Sequence, residues 1–289
     1  MQLLFRTLYR LYIQAPNHPA KLRIEKWISD MIFPNEGAIF EVDRKIKLYL
    51  HPKDYIEYLL LKTGSYEPLT LDFIEKNLIP GQTALFAGVN FGLHLILASK
   101  LVSENGHVIG VEPQPRSIYR AYQNILLNTL HQNIHLIISG LGSTSDLIPM
   151  GDAPNHNSGS ASLIIENDYS APFYVHVVTL STLLSKLGVQ QVDMMLLDVE
   201  GYEINVLRGI ERKHRPFIMI VEAHPLVLNK LSISQVDVFD MLEALDYTCF
   251  SVDGLPVRER YPLPENNIVA VLQGVKLPQF IKLEIKPPV

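Results

Sequence analysis

The sequence predicts an α/β fold: a doubly wound, mostly parallel sheet that ends in an antiparallel hairpin and is preceded by an N-terminal α+β extension. From Thr83 onward, short apolar runs alternate with segments of helical period, as in parallel strands whose two faces are both covered by helices. The last two apolar runs, Tyr247–Val252 and Asn267–Leu272, follow each other with no helical segment between them. We therefore expect them to pair as an antiparallel hairpin at one edge of the sheet.

Composition and charge restrict the class of protein. The 289 residues are 47% hydrophobic and 19% charged, which suits a soluble chain with a sizeable core, either one large domain or one domain plus an extension. A net charge of −5 argues against a nucleic-acid partner, since such proteins carry a basic patch. The single cysteine, Cys249, excludes an intrachain disulfide and fits a reducing compartment, so we expect a cytoplasmic protein. No run of residues reaches the length of a membrane span, and no signal peptide is evident.

Residues 1–80 are predicted to form the extension. Apolar residues within positions 3–12 recur at helical spacing, which predicts a helix packed on the core or on a second copy of the chain. A membrane-surface helix is the alternative. Because Arg6 and Arg10 make only a weak basic face, we do not expect this helix to contact a membrane.

The remaining elements are predicted from apolar runs for strands and from helical spacing for helices. In the extension we expect a hairpin over Ala38–Leu50 and a short helix over Leu71–Leu78. The main domain, residues 81–274, is predicted to contain strands at Thr83–Ala87, His107–Glu112, Ile134–Ile138, Phe173–Val178, Val192–Asp198 and Pro216–Glu222. Its helices are predicted at Phe91–Val102, Pro115–Asn128, Leu180–Leu187, Glu203–Glu211 and Val236–Leu245. The polar stretch from Gly140 to Ser162 is predicted to be a long loop, and residues 275–289 a C-terminal tail.

A glycine-rich turn, Gly88-Val89-Asn90-Phe91-Gly92, joins the first core strand to its helix. Such a turn lets the backbone approach a ligand closely, and the helix start offers N–H groups to an anionic group. Glu112 ends the second strand, where a carboxylate can accept hydrogen bonds from both hydroxyls of a ribose. A dinucleotide turn would need a third glycine, so we expect S-adenosylmethionine instead, with Asn90 at its amino-acid end. A helix cap is the alternative role of Asn90.

Acidic residues and a histidine after the strands predicted at Val192–Asp198 and Pro216–Glu222 are the candidate bases. An alcohol must lose its proton as it attacks a methyl group, and Glu200, Glu222 and His224 are candidates for accepting it. Asp198 is expected to touch the cofactor, as is Gly140 after the third strand. Their structural alternatives are a helix cap for Asp198 and Glu200 and a fixed turn for His224. These groups could also hold a hard cation such as Mg²⁺, but their spacing is no metal fingerprint, so we assign no metal ligand.

The acceptor is expected to meet polar side chains from two further places. Asn157 and Ser158, in the long polar loop, can hydrogen-bond the hydroxyl groups of a substrate. Tyr66 and Tyr202 are also placed at the pocket. Tyr66 lies ahead of the core, and Tyr202 follows the strand predicted at Val192–Asp198. For the loop residues, the alternative is a plain surface loop.

Several of these motifs together resemble the FkbM family of S-adenosylmethionine-dependent methyltransferases. The resemblance runs from about Leu59 to Leu272 and includes Gly64-Ser65-Tyr66-Glu67-Pro68, the glycine turn, Asp198-Val199-Glu200-Gly201-Tyr202-Glu203 and Val221-Glu222-Ala223-His224-Pro225. It implies a class I methyltransferase, Rossmann-like fold and O-methylation of a hydroxyl of a sugar, glycan or natural product. It does not name the acceptor.

Two positions depart from the family pattern. The family usually has an acidic residue two before the first motif glycine, where this chain has Phe86, and a lysine two before the aspartate of Asp-Val-Glu-Gly, where it has Leu196. We hypothesise that acid and lysine would form one charge pair and that an apolar pair replaces it here. This requires Phe86 and Leu196 to lie on the same face of the sheet. If the lysine acts in catalysis instead, the chain would be a weakened or altered enzyme.

Two other classes of function compete with an O-methyltransferase. A methyltransferase-fold protein without catalysis, acting as a binding or partner module, is motivated by the same two departures. A nicotinamide oxidoreductase is disfavoured by the missing third glycine and by the terminal hairpin. Failure to bind S-adenosylmethionine at millimolar concentration would exclude the enzyme.

Overall fold

The computed structural model describes residues 37–282 except 52–53, 129–131, 152–172 and 260–261, together with Tyr12, Lys21, Ile24 and Trp27. The predicted helix over residues 3–12, apart from Tyr12, lies outside the described residues, as do the tail beyond residue 282 and the predicted substrate contacts Asn157 and Ser158. Among the helices that are described, none has both the length and the apolar character that crossing a bilayer requires.

The described residues contain twelve β-strands. In chain order they are β1 Ala38–Glu41, β2 Lys47–Leu50, β3 Thr83–Ala87, β4 His107–Val111, β5 Ile134–Ile137, β6 Gly140–Leu141, β7 Asp146–Met150, β8 Phe173–Val178, β9 Met194–Leu197, β10 Ile218–Glu222, β11 Tyr247–Ser251 and β12 Asn267–Leu272. The α-helices are α1 Tyr55–Thr63, α2 Pro68–Asn77, α3 Leu93–Val102, α4 Pro115–Leu127, α5 Leu180–Leu187, α6 Glu203–Arg208, α7 Pro225–Lys230 and α8 Gln235–Ala244.

A seven-stranded sheet forms the centre of the fold, in the order β11-β12-β10-β9-β3-β4-β5. Its strands run parallel except β12, which is antiparallel to both β10 and β11. The β11–β12 hairpin therefore closes one edge of the sheet. The predicted α/β fold with a doubly wound sheet and a terminal antiparallel hairpin is confirmed.

The central strands are buried on both faces of this sheet. In β3, Leu85 belongs to the hydrophobic cluster on one face and its neighbour Phe86 to the cluster on the other, with 0% and 1% of their surfaces exposed. A strand covered on both faces has no polar side to alternate with, so its sequence is a continuous apolar run. This is why β3, β4, β9 and β10 could be located from the sequence.

Phe86 and Leu196 lie directly opposite each other in the parallel β3–β9 pair. Both are buried in the same hydrophobic cluster, so they are on the same face of the sheet. The geometry meets the requirement of the apolar-pair hypothesis. The replacement of a charge pair itself stays a hypothesis.

The stretch from Gly140 to Ser162 is not a single long loop, so that prediction was wrong for its first half. Its residues form β6 and β7, which join β8 in a three-stranded sheet of order β6-β8-β7. In this sheet Met150 pairs antiparallel with Phe173 across the part of the chain that is not described. A short strand whose partner lies so far along the chain has no local signal, because its pairing rather than its own pattern defines it.

The extension contributes a hairpin and two helices, α1 and α2, to the same core. The hairpin β1–β2, which was predicted, buries Phe40, Leu48 and Leu50 in the cluster that also holds Phe86. Helix α1 was not predicted; Asp54 caps its start by accepting from the N–H groups of Ile56 and Glu57. The division of the chain at residues 80 and 274 stays a prediction.

Candidate active site

A cleft opens where the parallel strands β3, β4, β9 and β10 end. Parallel strands present their carboxyl ends at one edge of the sheet, and ligands of doubly wound folds bind there. Eight of the predicted site residues line this cleft: Tyr66, Gly88, Asn90, Glu112, Gly140, Asp198, Glu200 and Glu222. Ile56 from α1 and Met150 at the end of β7 complete two of its sides.

Gly88 brings the ends of β3 and β9 into contact. Its backbone has φ +86°, and a Cβ atom there would lie 1.7 Å from the backbone oxygen of Asp198. Only glycine fits both constraints. Gly92, the other motif glycine, has φ +90° and packs against Ala121 rather than lining the cleft. Its position at the start of α3 is structural, and its predicted cofactor contact stays a prediction.

The Glu112 carboxylate holds the glycine turn in place. One oxygen accepts from the N–H groups of Val89 at 3.1 Å and Asn90 at 3.4 Å, and the other accepts from Gln114 N–H at 2.8 Å. Burial raises the pKa of Glu112, and these backbone donors oppose that shift. Each carboxylate oxygen can accept a second bond, so Glu112 can hold the turn and still receive ribose hydroxyls.

A second strained turn follows β9 and is held in the same way. Glu200 has φ +52° and Gly201 φ +97°. Glu203, at the start of α6, accepts from the N–H groups of Val199 and Gly201, both at 3.1 Å. Sequence reasoning gave Glu203 no role. Its signal was a carboxylate in the first helical turn directly after a strand-end glycine.

The carboxylates of Asp198 and Glu222 form a hydrogen-bonded pair in the cleft. Burial is the main cause that raises the pKa of both, and the neighbouring charge raises that of Glu222 further. Ionising both of two buried carboxylates in contact is unfavourable, so the pair favours a state with one proton between them. Burial, with the charge of Asp198 next in size, also raises the pKa of Glu200 to about 8.

Two further predicted residues, besides Gly92, lie away from the cleft lining. The Nδ1 atom of His224 accepts from Leu226 N–H at 3.2 Å and so caps the short helix α7, which is its structural alternative. Tyr202 begins α6 and packs within the hydrophobic cluster beside Gly142. Neither residue lines the cleft. Within the described part of the chain, no three His, Cys, Asp or Glu side chains are arranged to hold a metal ion.

A family model described as "Methyltransferase FkbM domain" matches residues 87–249, more than half of the chain. No curated protein matches this chain. A solved structure of methyltransferase FkbM from Methylobacillus flagellatus KT is 10% identical with TM-score 0.44, covering 91% of this chain and 57% of that chain.

Two further solved structures are similar to this chain. A SAM-dependent O-methyltransferase from Thermotoga maritima is 13% identical with TM-score 0.42, covering 86% of this chain and 83% of that chain. Fibrillarin from Aeropyrum pernix, solved with natively bound S-adenosyl-L-methionine, is 15% identical with TM-score 0.41, covering 71% of each chain.

Proposed function

The chain belongs to the methyltransferase FkbM domain family, and we propose that it transfers the methyl group of S-adenosylmethionine to a hydroxyl of a sugar, glycan or natural product. The observation that carries this proposal is the cleft itself. The glycine turn after β3 and the carboxylates after β4, β9 and β10 meet there. The proposed acceptor is a small molecule or a glycan, and we propose no nucleic-acid partner. The proposed compartment is the reducing cytoplasm, where the buried free thiol of Cys249 is stable.

The residues of the cleft fit the chemistry of this cofactor. Gly88 and Asn90 supply a close backbone approach beside the start of α3, where the amino-acid end can bind. Glu112 supplies an acceptor for the ribose hydroxyls. Asp198 and Gly140 also line the cleft. S-adenosylmethionine is a sulfonium cation, and a cleft lined by carboxylates favours a cation.

The protein's part in the reaction is alignment and proton removal. The cofactor supplies an electrophilic methyl group, which an acceptor oxygen attacks in line. Holding the two in that geometry can contribute about 7–11 kcal/mol. Removing the hydroxyl proton during attack typically adds ~10²–10⁴-fold. Glu200 and Glu222 line the cleft and can accept it, whereas the Nδ1 atom of His224 is engaged in a helix cap.

The experiment that tests the proposal has two stages. Calorimetry measures binding of S-adenosylmethionine to the purified chain, and methyl-labelled cofactor is then incubated with a panel of monosaccharides, nucleotide-linked sugars and hydroxylated natural products. Label on a hydroxyl supports the proposal. No binding at millimolar cofactor would exclude it.

A methyltransferase-fold protein without catalysis remains the second candidate, and Phe86 and Leu196 motivate it. These two residues form an in-register apolar pair inside the core, and neither lines the cleft. The polar groups of the cleft are intact without them, which favours an active enzyme. Tight cofactor binding with no transfer to any member of the panel would favour the second candidate.

A further inference from the structure

Helix α2 begins next to the cleft but is capped from far along the chain. The N–H groups of Leu69 and Thr70 donate to the carboxylate of Glu265 at 2.9 and 2.8 Å, and the Thr70 hydroxyl donates to it at 2.8 Å. Glu67 occupies the N-cap position, yet its side chain makes no cap hydrogen bond. The helix therefore does not need the carboxylate of Glu67.

Glu67 is held in a conformation that its own helix does not require. Its backbone is left-handed, with φ 48° and ψ 57°, which for a residue other than glycine costs on the order of 1–3 kcal/mol. The conformation turns the side chain inward, and only 17% of it is exposed. Such strain is typically found at functional sites.

The inward carboxylate faces a buried histidine. His94 Nε2 lies 3.3 Å from Glu67 Oε2 without the geometry of a hydrogen bond, and it has no hydrogen-bond partner among the described residues. Burial, followed by the charge of Arg44, lowers the pKa of His94 to about 4, so its ring is neutral near pH 7. A neutral imidazole can orient the carboxylate without forming an ion pair that would keep it from taking a proton.

Tyr66 connects this carboxylate to the cleft. Tyr66 lines the cleft, and its hydroxyl is near enough to the carboxylate of Glu67 for the two groups to shift each other's pKa. The ring packs edge-on against Phe91 in the glycine turn, with centroids 6.3 Å apart. The hydroxyl is therefore held between the glycine turn and Glu67.

We propose that Tyr66 and Glu67 are catalytic residues that take the proton of the acceptor hydroxyl out of the cleft, with His94 as the positioning residue for Glu67. This inference rests on the proposed function. The acceptor oxygen bonds to the methyl carbon while the carbon–sulfur bond breaks and its electron pair stays on sulfur. The acceptor proton moves to the Tyr66 oxygen as the Tyr66 proton moves to Glu67. The positive charge on sulfur and the negative charge on Glu67 disappear together, so no isolated charge remains in the cleft.

The contacts with Tyr66 and His94 distinguish Glu67 from the other carboxylates, since burial raises the pKa of Glu200 to about 8 as well. Burial, then the charges of Asp198 and Glu265, raises the pKa of Glu67 to about 8, close to the pH at which a base works best. Asp198 and Glu222 already share a proton between them. The titratable groups that interact with Glu67 are Tyr66, His94, Asp198, Glu200, Glu222 and Glu265.

The kinetic test compares Tyr66→Phe and Glu67→Gln with the control Glu265→Gln. The control removes the carboxylate that caps α2 and leaves Tyr66 and Glu67 in place. With an acceptor found in the labelled-methyl panel, the first two variants should lower kcat by about 10²-fold and keep the affinity for S-adenosylmethionine within about threefold. In the wild type kcat should rise with pH as Glu67 ionises, and this rise should be absent in Glu67→Gln. Glu265→Gln should melt earlier and keep the wild-type plateau of kcat, with the rise of kcat moved to lower pH because the charge of Glu265 helps to raise the pKa of Glu67. Wild-type turnover in Glu67→Gln, or a greater loss in Glu200→Gln than in Glu67→Gln, would overturn the inference.

A second measurement needs no acceptor. In full-length protein labelled with ¹⁵N-histidine, the His94 ring should stay neutral between pH 5.5 and 8, and its Nε2 resonance should follow the titration of Glu67. That response should vanish in Glu67→Gln. A charged His94 at pH 7, or a resonance indifferent to Glu67, would overturn the inference even if the enzyme methylates hydroxyls. Failure of the protein to bind S-adenosylmethionine would instead refute the proposed function, because the histidine titration is measured without ligand.

Discussion

Replacing Glu112 by glutamine should weaken S-adenosylmethionine binding without unfolding the protein. The carboxylate accepts three backbone bonds, at 3.1, 3.4 and 2.8 Å, and the amide keeps only one acceptor oxygen. The amide nitrogen of the glutamine replaces the second carboxylate oxygen, and as a donor it cannot accept from the backbone N–H groups or from the ribose hydroxyls. A hydrogen bond to a charged group contributes about 1.5–3 kcal/mol, so we expect the dissociation constant to rise roughly 10- to 100-fold.

The matched control for this change is Glu265→Gln. Its carboxylate also accepts three bonds, from Leu69 N–H, Thr70 N–H and the Thr70 hydroxyl, but it lies at the start of α2 and does not line the cleft. The two variants should lose similar stability in thermal melts. Only Glu112→Gln should lose cofactor affinity by calorimetry.

A cofactor analogue without the ribose hydroxyls separates a direct contact from a distorted turn. The analogue should bind the wild type more weakly than S-adenosylmethionine does, and Glu112→Gln should bind both equally, because coupled changes are not additive. Wild-type affinity in Glu112→Gln, or an equal affinity loss in Glu265→Gln, would refute the placement of the ribose on Glu112.

Three further predictions test other parts of the site. Gly88→Ala should abolish cofactor binding and destabilise the fold by more than about 2 kcal/mol, because its Cβ would overlap a backbone oxygen. The control Gly274→Ala has the same φ of +86° but lies in open space, so it should cost only about 1 kcal/mol. Urea unfolding of both variants measures the difference. Burial raises the pKa of Glu200 to about 8, so the affinity for S-adenosylmethionine measured by calorimetry should increase from pH 6 to 9. The affinity for the uncharged thioether S-adenosylhomocysteine should increase less over the same range. Equal pH dependence of the two affinities would argue against a carboxylate facing the sulfonium. Phe86→Glu or Leu196→Lys alone should cost about 3–5 kcal/mol as an unpaired buried charge, and the double variant should cost less than the sum; strict additivity in the unfolding free energies would reject the charge-pair hypothesis.

The sequence identified the elements whose own composition defines them. Strand β3 is a continuous apolar run because both its faces are covered, so Leu85 and Phe86 were enough to locate it. Strand β7 was assigned to a loop because it is defined by its pairing with β8, across residues 152–172. Helix α1 was missed although its cap, Asp54, was visible in the sequence.

The candidate site divides along the same line. Strand ends converge in any doubly wound sheet, so Glu112, Asp198 and Glu222 could be placed at one edge before the structure was known. Which side chain a turn already uses could not be predicted. His224 caps α7, and Glu67 is released by a cap that comes from Glu265. The cap from Glu265 joins residues 196 positions apart, which no local spacing encodes. The cap made by His224 is local, and a fixed turn was its alternative role.

The long-range cap of α2 has a consequence for synthesis on the ribosome. A nascent chain that has emerged only as far as β11 lacks both Glu265 and β12, so α2 has an uncapped start and β10 presents an open edge to the cell. Arrival of residues 265–272 satisfies both at once. The cleft therefore reaches its final shape late in translation, and until then the exposed edge of β10 is the surface that a chaperone would have to shield.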